Sequence, residues 1–136
     1  MSSVTLAILA SMTQPGGDTP RGRLGRLGED LAVTFLQRAG YHVLDRNWRC
    51  SRGEIDVVAR DASTLVFVEV KTRTGLAYGH PLESVTVSKL TRLRMLAALW
   101  RQAHPAHSGP MRIDAIGVLV PRNAPYAIEH VRGVLS

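Results

Sequence analysis

Hydrophobic positions recur at two different spacings along this chain, and each spacing predicts a type of element. Within residues 23–39 they recur every three or four residues, as on one face of a helix. The residues of this stripe are Leu24, Leu27, Leu31, Phe35 and Leu36. Gly40 follows and is expected to end the helix. A second stretch with helical spacing begins after Ser88, the expected N-cap, and runs to about residue 104, so two helices are predicted.

Shorter apolar runs, several of them alternating with polar residues, predict strands at residues 41–50, 54–60, 64–72 and 111–120, with a last strand or edge segment at 126–134. The order is helix, three strands, helix, then one or two strands. Strands joined by a tight turn pair antiparallel, whereas a helical crossover returns the chain to a parallel strand. The predicted fold class is therefore α/β, an αβββαβ core with a mixed central sheet flanked by helices.

Length and composition fit one globular domain, expected at residues 21–136. We interpret residues 1–20, a short apolar run followed by a segment with Gly, Pro and Asp, as a flexible extension. No apolar run approaches the roughly 18 residues that a membrane-spanning helix needs, so no insertion into a membrane is expected. The single cysteine, Cys50, excludes an intrachain disulfide and is consistent with a reducing compartment, which makes the cytoplasm the expected location.

A net charge of +6 favours a polyanionic partner, either nucleic acid or an anionic membrane surface. The alternative is an ordinary basic surface with no such partner. Arg46, Arg49 and Arg52 lie close together in the sequence, directly before an acidic segment. Lys89 falls in the first turn of the second predicted helix, where backbone N–H groups face outward. We interpret these four cations as phosphate contacts.

The acidic segment is a predicted hairpin at residues 53–73. Residues two apart in a strand share a face, so Glu54 and Asp56 point the same way on the first strand. Glu69 and Lys71 share a face of the second strand for the same reason. The opposite face of the second strand consists of Val66, Val68 and Val70. Because that valine face is expected to be buried, a tight turn would bring Asp56 near Glu69.

Carboxylates that lie this close repel each other unless one is protonated or a cation lies between them. Oxygen ligands of this kind suit a hard divalent ion such as Mg²⁺, and a nearby lysine can orient a water or stabilise charge on a phosphate. Together these groups suffice for metal-assisted hydrolysis of a phosphodiester. The alternative for the whole segment is alternating charge on a solvated strand face. For Glu54 the alternatives are a metal ligand and an ion-pair partner of a nearby arginine.

Five motifs extend this pattern beyond the hairpin. They are Gly28-Glu29, Arg46-Asn47-Trp48-Arg49, Gly53-Glu54-Ile55-Asp56, Val68-Glu69-Val70-Lys71-Thr72-Arg73 and Arg112-Ile113-Asp114. Asp56 followed by Glu69-x-Lys71 resembles the PD-(D/E)XK nuclease signature, with Ile55 at the position of the superfamily's proline. The full set resembles the YraN-like family of small bacterial proteins, related to archaeal Holliday-junction resolvases, over about residues 22–132.

The resemblance implies a restriction-endonuclease-like fold and a metal-dependent endonuclease that hydrolyses DNA phosphodiesters, with branched or damaged DNA as the candidate substrate. Asp56, Glu69 and the Val70 carbonyl would then hold Mg²⁺ or Mn²⁺. Lys71 would position the attacking water and offset developing charge. The resolvases act as symmetric dimers, so a homodimer is a candidate assembly. The alternative function is a non-catalytic nucleic-acid-binding module or a partner subunit of a DNA-processing assembly.

Further roles in this scheme fall to residues outside the hairpin's centre. Glu29, together with Glu54, would support a second ion or the water, and the alternative for Glu29 is a first-turn acid stabilised by the helix dipole. Phosphates would be held by Arg46, Arg49, Arg73 and Lys89. Two polar positions are interpreted as structural: Asp114 is expected to be a buried acid, and Trp48 is expected to fill the core.

Overall fold

The computed structural model describes residues 19–77 and 79–134. Its elements are α1 (Pro20–Arg38), β1 (His42–Cys50), β2 (Gly53–Asp61), β3 (Thr64–Arg73), a short 3₁₀ helix (Pro81–Ser84), α2 (Val87–Ala103), β4 (Met111–Leu119) and β5 (Ala127–Val131). This is the predicted order. The extension expected at residues 1–20 lies outside the described residues except for its last two, and Pro20 is already helical.

The described strands form a five-stranded sheet in the order β1-β2-β3-β4-β5. The pairs β1–β2, β2–β3 and β4–β5 are antiparallel, whereas β3 and β4 run parallel. The parallel pair follows from the crossover through the 3₁₀ helix and α2, which returns the chain to the same end of the sheet. The α/β class with a mixed sheet is therefore confirmed, and the architecture is compatible with a restriction-endonuclease-like fold.

Alternation along β3 separates two hydrophobic clusters, one on each face of the sheet. Val66 and Val68 are fully buried in the cluster that contains α1, and Val70 packs at its edge. Leu65 and Phe67 are fully buried in the cluster that contains α2. The expected valine face is thus confirmed. The charged residues of β3 occur only beyond Val68, where the strand no longer pairs with β2.

Both helices begin earlier than the sequence predicts. Thr19 is the N-cap of α1, where its hydroxyl accepts a hydrogen bond from the Gly22 N–H at 3.0 Å, and Pro20 occupies the first helical position that proline favours. For α2 the expected cap, Ser88, is wrong. Thr86 caps the helix, since its backbone is extended and its hydroxyl accepts from the Lys89 N–H at 3.2 Å.

The ends of α1 and β5 are set by glycines in the left-handed region. Gly40, with φ of 94°, follows the C-cap residue Ala39, so the expected stop is confirmed one position beyond the cap. Strand β5 ends at Val131, earlier than expected, because the chain turns at Gly133 with φ of 64°. No described helix is both long and apolar enough to cross a membrane.

Close packing of α1 on β3 determines where the helix side chains lie. A Cβ atom at Gly28 would lie 1.8 Å from the hydroxyl oxygen of Thr72, so only glycine fits at this contact. The next residue, Glu29, is thereby held beside the end of β3. The contact between the Gly28 backbone and the Thr72 side chain therefore connects the helix to the acidic part of the hairpin.

Candidate active site

Asp56 lies where β2 and β3 separate. The pairing of the two strands runs from Asp61 opposite Thr64 to Val57 opposite Val68. Asp56 and Glu69 occupy the next position on each strand, as the sequence predicts. At this position a side chain, and not the backbone of β2, accepts the hydrogen bond from β3. Asp56 Oδ2 accepts from the Val70 N–H at 2.8 Å.

The pKa of Asp56 is raised to about 7, far above that of an ordinary aspartate. Burial is the main cause, and the negative charge of Glu69 is the second. The hydrogen bond from the Val70 N–H lowers the pKa but is too weak to offset both effects. Asp56 is therefore a carboxylate whose ionised form the surrounding protein does not neutralise.

Glu69 and Lys71 point to the same side of β3, toward α2. Glu69 Oε2 and Lys71 Nζ lie 3.4 Å apart, and both side chains are largely covered. Lys89, at the start of α2, lies near Lys71. The pKa of Lys89 is lowered chiefly by the positive charge of Lys71. The site thus contains an acidic pair, Asp56 and Glu69, beside two lysines.

Two cavities meet at this acidic pair. The larger, about 1020 Å³, lies on the α1 side, and the smaller, about 260 Å³, lies between the strands and α2. Both are lined by Glu54, Asp56, Lys71 and Lys89, whereas Glu69 lines only the smaller one. Asp56 therefore lies at the boundary of both cavities, at the point where β2 and β3 no longer pair.

Cations line the larger cavity. They are Arg21, Arg26, Arg49, Lys71, Arg73 and Lys89. Three of the five residues predicted to bind nucleic acid therefore line it, namely Arg49, Arg73 and Lys89. The other two, Arg46 and Arg52, are not among its lining residues. Arg21 and Arg26 were missed by the sequence analysis.

The signal that would have identified Arg21 was present in the sequence. Arg21, Gly25 and Glu29 follow one another at four-residue spacing, which places them on one face of α1. Because Gly25 leaves open space above the helix, that face forms a wall of the cavity.

Arg46 is engaged by α1. Its NH2 group donates to Asp30 Oδ1 and lies 3.5 Å from Glu29 Oε1. Because Asp30 and Glu29 already pair with the guanidinium, a phosphate would have to compete with them for Arg46. Arg52, in turn, lies in the exposed turn between β1 and β2.

Glu29 lies in the middle of α1, and its side chain is only 12% exposed. The helix-dipole explanation for this residue is wrong, because the helix begins at Pro20 and its first turn, fully described, contains no acidic residue. Burial raises the pKa of Glu29, and the hydrogen bond from Asn47 and the charge of Arg46 oppose that effect. Glu29 therefore faces the larger cavity as a partly neutralised acid.

Glu54 is bound by neighbours on β1. Its Oε2 accepts a hydrogen bond from Asn47 Nδ2 at 3.0 Å and lies 3.6 Å from Arg49 Nε. Of the two alternatives for Glu54, the arrangement favours the ion pair. Within the described residues, no group of three Asp, Glu, His or Cys side chains is arranged to hold a metal ion. The acids that remain for a cation are therefore the pair Asp56 and Glu69.

Asp114 is structural, as expected. It is fully buried and accepts hydrogen bonds from Arg112 Nε at 2.8 Å and the Gly133 N–H at 3.0 Å, while His130 Nε2 lies 2.7 Å from its other oxygen. Burial alone would raise the pKa of Asp114, but these partners outweigh it, and the pKa is lowered. Trp48 is partly buried, packs against the α2-side cluster and contacts His104 edge to face, so it lies at the edge of the core that it was expected to fill.

The sequence is similar to one known family and to several bacterial proteins. The model of the uncharacterised protein family UPF0102 matches residues 28–118. A UPF0102 protein from Clavibacter michiganensis is 58% identical over 109 residues, covering 80% of this chain and 92% of the relative. One from Renibacterium salmoninarum is 53% identical over 111 residues (82% and 94%), and one from Streptomyces griseus is 53% identical over 115 residues (84% and 97%). The matched segment contains every site residue predicted from the sequence.

Proposed function

The chain belongs to the uncharacterised protein family UPF0102, the YraN family, as its motifs predict, and from this premise we propose that it is a metal-dependent endonuclease that hydrolyses DNA phosphodiesters. The observation that carries the proposal is the state of Asp56. Asp56 is a largely covered carboxylate with its pKa near 7, next to a second acid, and no cation of the described residues lowers that pKa appreciably. Such perturbed groups in a cavity are typical of functional sites.

The donor set fits a divalent cation. Asp56 and Glu69 supply the carboxylate oxygens that Mg²⁺ and Mn²⁺ prefer, and the Val70 carbonyl is a third candidate ligand. A cation between the two carboxylates would offset both the burial of Asp56 and its repulsion by Glu69. When bound, the ion would supply Lewis-acid stabilisation of the charge that develops on the phosphate. We place Glu54 outside the ligand set, because Asn47 and Arg49 already engage it.

Lys71 is the proposed catalytic cation. Its Nζ lies 3.4 Å from Glu69, at the junction of the two cavities, so it reaches any phosphate that contacts the acidic pair. There it would donate hydrogen bonds to the attacking water or to the phosphate oxygens as they gain charge. The ion pair with Glu69 fixes its orientation before substrate binds.

The cations of the larger cavity are the proposed DNA contacts. Arg21, Arg49, Arg73 and Lys89 approach the acidic pair from α1, β1, β3 and α2 respectively. Phosphate contacts of this kind fix the position of the DNA backbone without reading sequence. Binding is therefore expected to be salt-dependent and tolerant of sequence.

A second candidate is a nucleic-acid-binding module without catalysis. One observation favours it: no described group of three acidic, His or Cys side chains is arranged for a metal. In that case the ion pair between Glu69 and Lys71 would be a finished structural contact. Salt-sensitive DNA binding without metal-dependent products would support this alternative.

The decisive experiment is a cleavage assay with fluorescent junction, flap and linear DNA in Mg²⁺ or Mn²⁺. Lys71→Ala is expected to lower the cleavage rate by at least about 10²-fold, since it removes a preorganised donor to developing charge. Binding of the same DNA is expected to survive, because the other cations of the cavity remain.

Arg122→Ala is the matched control. It also removes one positive charge, but from the exposed β4–β5 loop, away from both cavities. It is expected to cleave as the wild type does. Unchanged cleavage by Lys71→Ala would remove the proposed mechanism.

A further inference from the structure

Asn47 joins two acids that lie far apart in the sequence. Its side-chain amide nitrogen donates to Glu29 Oε2 at 2.9 Å and to Glu54 Oε2 at 3.0 Å. An amide NH₂ group has two hydrogens, so both bonds are made by separate donors. Through this one residue of β1, helix α1 is connected to the start of β2.

The backbone of Asn47 is adapted to this contact. Its φ is 52°, in the left-handed region that most residues avoid and that asparagine tolerates better than most. A strained conformation persists only where its surroundings over-determine it. The two carboxylates that accept from its amide are part of those surroundings, and the position lies on the wall of the larger cavity.

Two carboxylates that converge on one point need a positive or donating group between them. The negative charge of Glu54 opposes ionisation of Glu29. Arg46 approaches Glu29 from one side, and Arg49 approaches Glu54 from the other. The central position is filled by the neutral amide of Asn47, where a divalent ion would otherwise satisfy both acids.

We propose that Asn47 is a positioning residue that takes the place of a second cation between Glu29 and Glu54, so that the site binds a single divalent ion at Asp56 and Glu69. The part that concerns the ion at Asp56 and Glu69 rests on the proposed function. The part that concerns Asn47 does not, because it depends only on the contacts of its amide.

Asn47→Asp separates this role from a purely structural one. Aspartate has nearly the same size and also tolerates the left-handed region. It replaces the donor by a third carboxylate facing Glu29 and Glu54, and three carboxylates suffice to attract a divalent ion. If Asn47 only held the two acids together, the change would only weaken that contact. If Asn47 takes the place of a cation, the change should allow a divalent ion to bind between the acids.

The experiment counts Mn²⁺ ions by electron paramagnetic resonance and calorimetry, with purified wild-type and Asn47→Asp protein. We expect Asn47→Asp to bind one more Mn²⁺ per chain than the wild type. The additional ion is expected to be lost in the matched double variant Asn47→Asp/Glu54→Gln, which removes one of the three carboxylates.

Asn47→Gly provides a second test that does not depend on the first variant folding. Glycine adopts the left-handed conformation freely, so the backbone is retained while the amide is lost. The unfolding temperature of Asn47→Gly is expected to rise more on adding Mn²⁺ than that of the wild type, because the ion occupies the vacated position.

Two results would overturn the proposal about Asn47. One is an unchanged Mn²⁺ count in folded Asn47→Asp, and the other is an equal Mn²⁺-induced shift in Asn47→Gly and wild type. A different result separates the proposed function: if the wild type binds no Mn²⁺ but Asn47→Asp gains one ion, the Asn47 inference stands and the metal site at Asp56 and Glu69 fails.

Discussion

Asp56 and Asp114 belong to the same sheet and are both largely shielded from solvent, but their neighbours shift their pKa values in opposite directions. Asp114, on β4, receives hydrogen bonds from Arg112, His130 and the Gly133 N–H, and its pKa is lowered. Asp56, on β2, receives one hydrogen bond from a backbone N–H, and its pKa is raised to about 7. One acid is stabilised as an anion by the fold, and the other is not.

The difference shows which acid the fold needs. A buried charge destabilises a protein unless partners compensate for it, so a structural acid comes with its own partners. Asp114 has them, and the network around it shares no residue with either cavity. Asp56 lacks them and lies where two cavities meet. Among the described residues, Asp56 is therefore the acid that leaves room for a compensating charge, which is the basis of the metal site proposed above.

The largest expected effect comes from removing the structural acid. Asp114→Asn leaves Arg112 and its neighbours without the carboxylate that holds them, and breaking a buried ion pair typically costs about 3–5 kcal/mol. We expect the free energy of unfolding to fall by about 3 kcal/mol, measured by urea denaturation at pH 7.

The matched control is Asp56→Asn, the same change on a neighbouring part of the sheet. It is expected not to lower stability, since it removes an acid that the fold leaves uncompensated. If both variants lost similar amounts of stability, the distinction between the two acids would be wrong.

The second prediction uses the pH dependence of stability. The pKa of Asp56 is about 7 in the folded chain, above the 3.8 of an exposed aspartate. Between these values the folded state binds more protons than the unfolded state, so this group lowers stability as pH rises from about 4 to 7. Asp56→Asn removes this effect and is expected to stabilise the metal-free protein clearly at pH 8 and hardly at all at pH 4.

Divalent cations provide the control for that measurement. If an ion compensates the charge of Asp56, adding Mg²⁺ at pH 8 should stabilise the wild type. The difference in the free energy of unfolding between the wild type and Asp56→Asn should then become smaller. Asp114 acts in the opposite direction, because its pKa is lowered and its contribution is lost as pH falls through that value. Equal pH profiles for wild type and Asp56→Asn would contradict the raised pKa.

Much of the fold could be predicted because its strands carry a simple signal. β3 was expected at residues 64–72 and spans Thr64–Arg73, since a continuous apolar run that ends in charged residues is a clear strand signal. The same period-two alternation placed Glu69 and Lys71 on one face, and the tight turn was expected to bring Asp56 near Glu69, whereas the register that sets them at matching positions comes from the structure. These relations depend on local geometry that the sequence specifies directly.

Other features depend on contacts between distant segments, which local spacing does not reveal. From the sequence, Arg46 was predicted to contact phosphate. In the structure it pairs with Glu29 and Asp30 of α1. Thr86, and not Ser88, is the N-cap of α2. Either hydroxyl residue could cap the helix, and the position is decided by where the backbone leaves its extended conformation. The contacts of the Asn47 amide with Glu29 on α1 and Glu54 on β2 likewise join segments that local spacing does not relate.

The smallest expected effect concerns the outer limit of the Asp114 network. Arg132 donates to Asp61 Oδ2 at 3.1 Å, but its side chain is 61% exposed, whereas Arg112, bound to the same oxygen at the same distance, is mostly covered. Exposed ion pairs contribute little because water screens them, so Arg132→Ala is expected to change the free energy of unfolding by less than about 0.5 kcal/mol. Arg112→Ala, measured in the same urea titration, should cost several times more, since it leaves Asp114 buried without its main cation. A large loss in Arg132→Ala would mean that the network extends to the surface, and that the partners compensating Asp114 are more numerous than its own hydrogen bonds indicate.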